Sequence, residues 1–194
     1  AWSEKAFKEA KFFGTPVEAA STKENKYKNI PSQEDIKFNA DDAYVHITSN
    51  NTIFGTQWKV FPDTGDVPLV ADMSSDILSK PVDVSKFGII YAGAQKNLGP
   101  SGVTVVIIRK DLLEKANTNI PTMLKYTTHA DNNSLYNTPP TFGIYMLGEV
   151  LKWVEAQGGL EKVAQNNEEK AALIYNVIDA SNGFYYGHAE EGSR

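Results

Sequence analysis

The chain has 194 residues, 41% of them hydrophobic and 22% charged, enough to bury one large domain or a domain and part of another, and too apolar for a disordered tail. Nineteen basic residues against 24 acidic ones give a net charge of −5, which offers no electrostatic footprint for phosphate backbones or anionic lipid and argues against a general nucleic-acid binder. There is no cysteine, so disulfide frameworks, thiolate zinc sites, iron–sulfur clusters and thiol nucleophiles are all excluded, and His46, His129 and His188 are too scattered to suggest a metal site. The longest aliphatic stretch, Val103 to Ile108, is far short of a bilayer span, and the amphipathic, charged start carries no visible targeting signal; a soluble, cytoplasmic protein is expected. Without an initiating Met, and ending just after Phe184-Tyr185-Tyr186, the chain reads as a piece of a longer one.

In chain order, Ser3 is placed to cap a helix running to about Phe13, with Ala6, Phe7, Ala10 and Phe13 at helical spacing and Gly14 closing it. Pro16 to Ser21 reads as a strand, and Thr22 to Ile36 as a polar, lysine-rich surface segment. Ala43 to Thr48 alternates like a strand and runs into the turn formers Ser49 to Thr52. Three further apolar runs follow: Pro68 to Ala71, Phe87 to Ala92, and the β-branched Val103 to Ile108. A helix is expected over Asp111 to Ala116, then a Thr/Asn/Pro-rich loop through Pro140. A long helix is expected from Thr141 to Gln157, with Phe142, Tyr145, Met146, Val150, Trp153 and Val154 as its apolar stripe and Gly158-Gly159 as its end; another spans Leu160 to about Ala180.

Continuously apolar strands separated by helices or long loops fit a sheet covered on both faces, hence an α/β layered domain. In such a sheet the ligand lies beyond the carboxyl ends of the strands, which directs attention to Ser49 to Thr52, Asp72 to Ser75, Gly93 to Gly102 and the later loop Tyr136 to Pro140. Lys96 follows an apolar strand among small residues, with no acidic neighbour from Phe87 to Arg109. It is either a solvated lysine on a flexible loop or a partly desolvated amine of the kind imine chemistry needs. Asp72 ends a buried type of strand, where an ionised carboxylate is costly unless it meets a cation or caps a turn. A carboxylate to hold a ring nitrogen protonated and an amine to bond an aldehyde, on successive strand ends, are the two groups that pyridoxal phosphate chemistry demands.

At these residues the chain resembles the phosphoserine aminotransferases, members of the fold-type-I, class-V aminotransferases that depend on pyridoxal 5'-phosphate. Tyr91-Ala92-Gly93-Ala94-Gln95-Lys96-Asn97-Leu98-Gly99-Pro100-Ser101-Gly102 is similar to their cofactor-lysine segment, and Val70-Ala71-Asp72-Met73-Ser74-Ser75 to their pyridine-nitrogen aspartate segment. Asn137-Thr138-Pro139-Pro140-Thr141-Phe142 matches their Asn-Thr-Pro-Pro-Thr-Phe loop, with Tyr136 where phenylalanine is usual.

The resemblance implies a three-layer large domain with a mostly parallel mixed sheet covered by helices on both faces. It places residues 1–165 in the cofactor-binding large domain and 166–194 in a connecting helix and the start of a small domain. Lys96 would carry the cofactor as an internal aldimine, Asp72 would hold the ring nitrogen, Trp2 would stack on the ring, and Thr52 and Gln95 would make polar contacts. The family often reads Asn-Glu-Thr where this chain has Asn50-Asn51-Thr52. Asn137 and Thr138 would reach the cofactor phosphate of the neighbouring subunit of a homodimer; their plainer reading is a cap for the Thr141 helix. The implied reaction interconverts L-glutamate and 3-phosphohydroxypyruvate with 2-oxoglutarate and O-phospho-L-serine in serine biosynthesis. The family holds its substrates largely with arginines, and here arginine occurs only at Arg109, which reads as structural, and at Arg194. Two other readings stand beside this one: another fold-type-I aminotransferase or lyase, and a non-catalytic dimerisation or folding module.

Overall fold

A computed structural model describes residues 2–194. The apolar runs become the strands of one four-stranded sheet: β1 (Val45–Thr48), β4 (Leu69–Asp72), β5 (Ile89–Gly93) and β6 (Thr104–Ile108), in that spatial order. The first three are parallel, and β6 closes the row antiparallel to β5. Register aligns Thr48 with Asp72 and Asp72 with Tyr91, so the carboxyl ends of three strands share one edge. Between β1 and β4, the turn formers Ser49 to Thr52 enter a small hairpin of β2 (Asn50–Asn51) and β3 (Thr56–Gln57).

Strand period two sorts the side chains. One face, with Val45, Ile47, Leu69, Ala71 and Ile90, is buried beneath Ile36, Trp58, Val67 and Phe87, and Phe61 meets Phe87 edge to face at 4.9 Å. Each large aliphatic group removed from water there contributes roughly 1.5–3 kcal/mol. The opposite face carries His46, Thr48, Asp72 and Tyr91, all half-buried. The helix α1 (Trp2–Ala10) adjoins that face, where the Ser3 hydroxyl donates to Thr48 Oγ1 at 2.9 Å.

Several expectations are corrected. The first helix ends at Ala10, where Gly14 N–H bonds back to the Ala10 carbonyl, and leaves Phe12 and Phe13 exposed. Pro16 to Ser21 forms no strand, because no neighbouring strand offers it a ladder; Ala19 and Ala20 pack on the core and the Ala19 carbonyl accepts from Lys37 N–H. The polar segment after it holds two short 3-10 turns, Lys23–Asn25 and Gln33–Asp35. The edge strand β6, the most β-branched run, leaves Val106 and Ile107 partly exposed in this chain.

Beyond the sheet come α2 (Lys110–Glu114), α3 (Tyr126–Asp131), α4 (Thr141–Ala156) and α5 (Gly159–Asp179), and α3 stands where only loop was expected. The inward face of α4 also differs from the expected stripe. Gly143 and Val154 are buried, whereas Phe142, Tyr145 and Trp153 point outward. Gly143 packs so closely on Val103 that a Cβ there would lie 2.9 Å from the Val103 side chain. The switch to α5 is made by Gly158 and Gly159, both at positive φ, which glycine adopts without strain. Among the described residues no helix is long and apolar enough to cross a membrane.

Candidate active site

Three parallel strands deliver three loops to one edge of the sheet. From β1 comes the hairpin whose turn holds Thr52; it closes through Gly55 N–H on the Asn51 carbonyl at 2.8 Å, with Gly55 at a φ of +73°. From β4 comes Asp72, and from β5 the loop with Gln95 and Lys96. That loop is held from both sides: Leu98 and Gly99 N–H both bond to the Ala94 carbonyl, Leu98 is buried, and Asn97 Nδ2 donates to the Ile77 carbonyl at 2.6 Å. Anchoring the residues around it turns Lys96 outward.

Lys96 Nζ donates to Thr52 Oγ1 at 2.6 Å and lies 5.6 Å from the centroid of the Trp2 ring. Lys5 Nζ lies 4.6 Å from the same centroid, so two ammonium groups face one indole, a favourable cation–π arrangement. Trp2 from α1, Thr52 from the β2–β3 turn and Lys96 after β5 therefore converge although 94 positions separate the first from the last. Of the two alternatives left open for Lys96, the structure shows the solvated one: the residue is exposed, with Thr52 and Trp2 against its amine. Gln95 is exposed too, its amide folded over Gly93, where a Cβ would come within 2.8 Å of Gln95 Oε1.

Asp72 uses one carboxylate oxygen to hold its own turn. Oδ1 accepts from Ser74 N–H at 2.9 Å and from the Ser74 hydroxyl at 2.6 Å, while Gly93 N–H donates to Ser74 Oγ at 3.0 Å. The start of the Lys96 loop and the aspartate are thus joined through one hydroxyl. Oδ2 makes no hydrogen bond among the described residues, so the turn-forming role and a free acceptor coexist in one side chain.

Beside Asp72 lies a pair that sequence reasoning missed. His46 Nε2 and the Tyr91 hydroxyl are 2.9 Å apart, reaching across β4 from the strands on either side. Burial holds the His46 imidazole below its usual range, opposed by the Asp72 charge, and burial together with Asp72 pushes the Tyr91 phenol up. Both groups are neutral near pH 7, leaving the Asp72 charge uncompensated from that side. Strand period two puts His46 on the face of Thr48, but the strand order that brings Tyr91 to it has no signal in the sequence.

The structure does not bring Asn137 and Thr138 to this cluster. Both are exposed in the loop before α4, with Asn137 Nδ2 against Met123 Sδ at 3.2 Å. Neither caps α4, whose N-cap position is Pro140 with no side-chain bond. Arg109 is paired with Asp111, as a structural role requires, and Arg194 with Asp179 at 2.7 Å, over the ring of Tyr175. His129 Nε2 meets the Met123 carbonyl at 3.0 Å. No cluster of metal-ligating side chains occurs among the described residues.

A primary amine beside a hydroxyl and an aromatic face, and a carboxylate with a spare oxygen on the neighbouring strand end, fit an aldehyde-bearing pyridine ring. Comparison with known proteins agrees with this chemistry. The chain is 80% identical over 193 residues to a phosphoserine aminotransferase of Lysinibacillus sphaericus, covering 100% of this chain and 53% of that protein. It superposes with a TM-score of 0.97 on a solved phosphoserine aminotransferase of Bacillus circulans subsp. alkalophilus, 58% identical, covering 100% of this chain and 54% of that one. A second solved phosphoserine aminotransferase, described for radiation damage of its Schiff base, has 62% identity, a TM-score of 0.97 and the same coverage. The chain spans about half the length of the curated relatives it matches. The model of the class-V aminotransferases matches residues 2–194, and the chain belongs to that family.

Proposed function

We propose that this chain forms the cofactor-holding core of a transaminase that moves the amino group of L-glutamate to 3-phosphohydroxypyruvate, yielding 2-oxoglutarate and O-phospho-L-serine for serine biosynthesis. The observation that carries the reading is the convergence of Lys96, Thr52 and Trp2 beside Asp72 on one sheet edge. The reaction is balanced without an external oxidant: glutamate is oxidised as the phosphorylated keto acid is reduced.

Pyridoxal 5'-phosphate, when bound, supplies an aldehyde that bonds amines and a ring that accepts the electron pair left at the substrate α-carbon. Lys96 would hold it through Nζ, and its free amine would be the base placed to remove and return the substrate α-proton. Asp72 would hold the ring nitrogen protonated through Oδ2, a fixed charge that favours electron density in the ring. Trp2 would stack on the ring, and Thr52 and Gln95 would make polar contacts to it. Asn137 and Thr138 serve the phosphate in the partner subunit of a homodimer, which accords with their exposure and with the exposed Phe142 and Tyr145 nearby on α4. Residues 1–165 belong to the large domain and 166–194 to the connection toward a small one, in a cytoplasmic enzyme.

One observation favours a second reading, in which the chain by itself is a non-catalytic module. Its two arginines are ion-paired with Asp111 and Asp179, so neither is available as a bidentate clamp for substrate anions. Exchanging this chain for the matching segment of the Lysinibacillus sphaericus relative and measuring 2-oxoglutarate formed from the two substrates separates the readings. Turnover in the exchanged protein, absent from the chain alone, is expected; an exchanged protein that folds and binds cofactor without turnover would contradict the proposed reaction.

A further inference from the structure

The Thr52 hairpin is held at its base by a buried carboxylate that the chemistry above does not use. Asp76 lies in the turn after β4, with its N–H on the Met73 carbonyl, and is 9% exposed. The hydroxyl of Ser49, a residue with no exposed surface, donates to Asp76 Oδ1, and Gln57 Nε2 donates to Oδ2 at 2.9 Å. Ser49 immediately precedes β2 and Gln57 ends β3, so the two carboxylate oxygens grip both legs of the hairpin. The same turn is stitched to the hairpin by Ser49 N–H on the Asp72 carbonyl at 2.9 Å and by Asn50 Nδ2 on Ser75 Oγ at 2.7 Å. At the far end, Phe54 is stacked between Tyr27 and His188, with ring centroids 5.5 and 4.8 Å away.

A buried carboxylate is retained at a cost unless its lone pairs are satisfied, and here both oxygens are engaged by the hairpin. From the hairpin turn, Thr52 touches Lys96 Nζ. We infer that Asp76 is a positioning residue: by clamping Ser49 and Gln57 it sets the height of Thr52 over Lys96 and ties that height to the turn that orients Asp72. The inference rests on Lys96 being the cofactor lysine. Asp76 touches neither cofactor nor substrate and acts through Thr52.

The test uses the exchanged enzyme described above, titrated with pyridoxal phosphate and reduced with borohydride, with the rate and extent of labelling at Lys96 read by peptide mass. If the unsubstituted protein is not labelled at Lys96, the functional reading falls and this inference with it; if it is labelled, the variants decide the inference alone. Asp76→Ala is expected to weaken cofactor affinity and slow Lys96 labelling about tenfold or more, since small misplacements of positioned groups have large effects. Asp76→Asn is expected to stay within about threefold, because an amide oxygen still accepts from Ser49 while its NH₂ faces a reversed Gln57 amide. Gln57→Ala, which removes one leg of the grip with a smaller defect, is expected to shift labelling in the same direction by about threefold and serves if Asp76→Ala does not fold. A merely structural Asp76 would lower the melting temperature and leave labelling of the folded protein unchanged; that result, in Asp76→Ala or in Gln57→Ala, overturns the inference.

Discussion

From Val45 to Gly93 the strands bury most of their apolar surface, whereas from Lys110 onward the chain leaves much of it outside. Leu69 in β4 is 1% exposed; Leu173 in α5 is 74% exposed, Phe142 in α4 is 71%, and the α4 and α5 helices together bury only Gly143, Val154 and Val163. The polar groups follow the same division. Asp72, Ser74, Ser49, Asp76 and Gln57 are cross-linked to one another by side-chain bonds, while Asn137 and Thr138 lie in an open loop. The strand half is a fixed platform for the chemistry, and the helical half carries surfaces suited to contact with another chain or segment.

That contrast can be broken at several points. The largest change is expected from Leu69→Ala, which opens a cavity in the platform and should cost about 3 kcal/mol in a denaturant titration. A loss under about 1 kcal/mol would mean the platform is loosely packed. Next, Asp72→Asn removes the charge while keeping the turn, and single-turnover proton transfer in the cofactor-loaded exchanged enzyme should slow about a hundredfold.

A smaller, pH-dependent effect belongs to His46. Its folded value lies below the ordinary 6.5, so the unfolded chain binds a proton first as pH falls. The contribution of neutral His46 is full above about pH 6.5 and is lost below it, at a slope of at most about 1.4 kcal/mol per pH unit, until the folded imidazole itself protonates. Melting curves between pH 7 and 5 should show a loss of stability toward low pH in the unsubstituted protein that is smaller in His46→Gln. The smallest effect is expected from Leu173→Ala on the exposed face of α5, within about 0.5 kcal/mol. A loss as large as that of Leu69→Ala would show that the helical half is covered in solution.

Much of the platform was legible in the sequence, for a physical reason. Runs such as Pro68 to Ala71 and Phe87 to Ala92 carry their burial in their composition, and the strand-end rule pointed to the segments Ser49 to Thr52, Asp72 to Ser75 and Gly93 to Gly102, which the structure brings to one edge. Pro16 to Ser21 has strand composition without a partner, and strand formation depends on a neighbour more than on the residues themselves. The α3 helix was hidden because Tyr126 to Asp131 is too short for a period to show. On α4 the aromatic residues suggested the buried stripe, but close approach to Val103 is made possible by Gly143, a residue with no hydrophobic signal. The His46–Tyr91 pair and the Asp76 grip were illegible because each joins residues on separate elements, and their meeting depends on strand order alone.

The central claim is that Lys96 is the residue to which the cofactor is bonded. It is tested most directly by loading the exchanged enzyme with pyridoxal phosphate, reducing with borohydride and mapping the label, beside the same protein carrying Lys96→Ala. Label on Lys96, with visible cofactor absorption lost in Lys96→Ala, is the predicted result; label on another lysine, or absorption unchanged in Lys96→Ala, would contradict it.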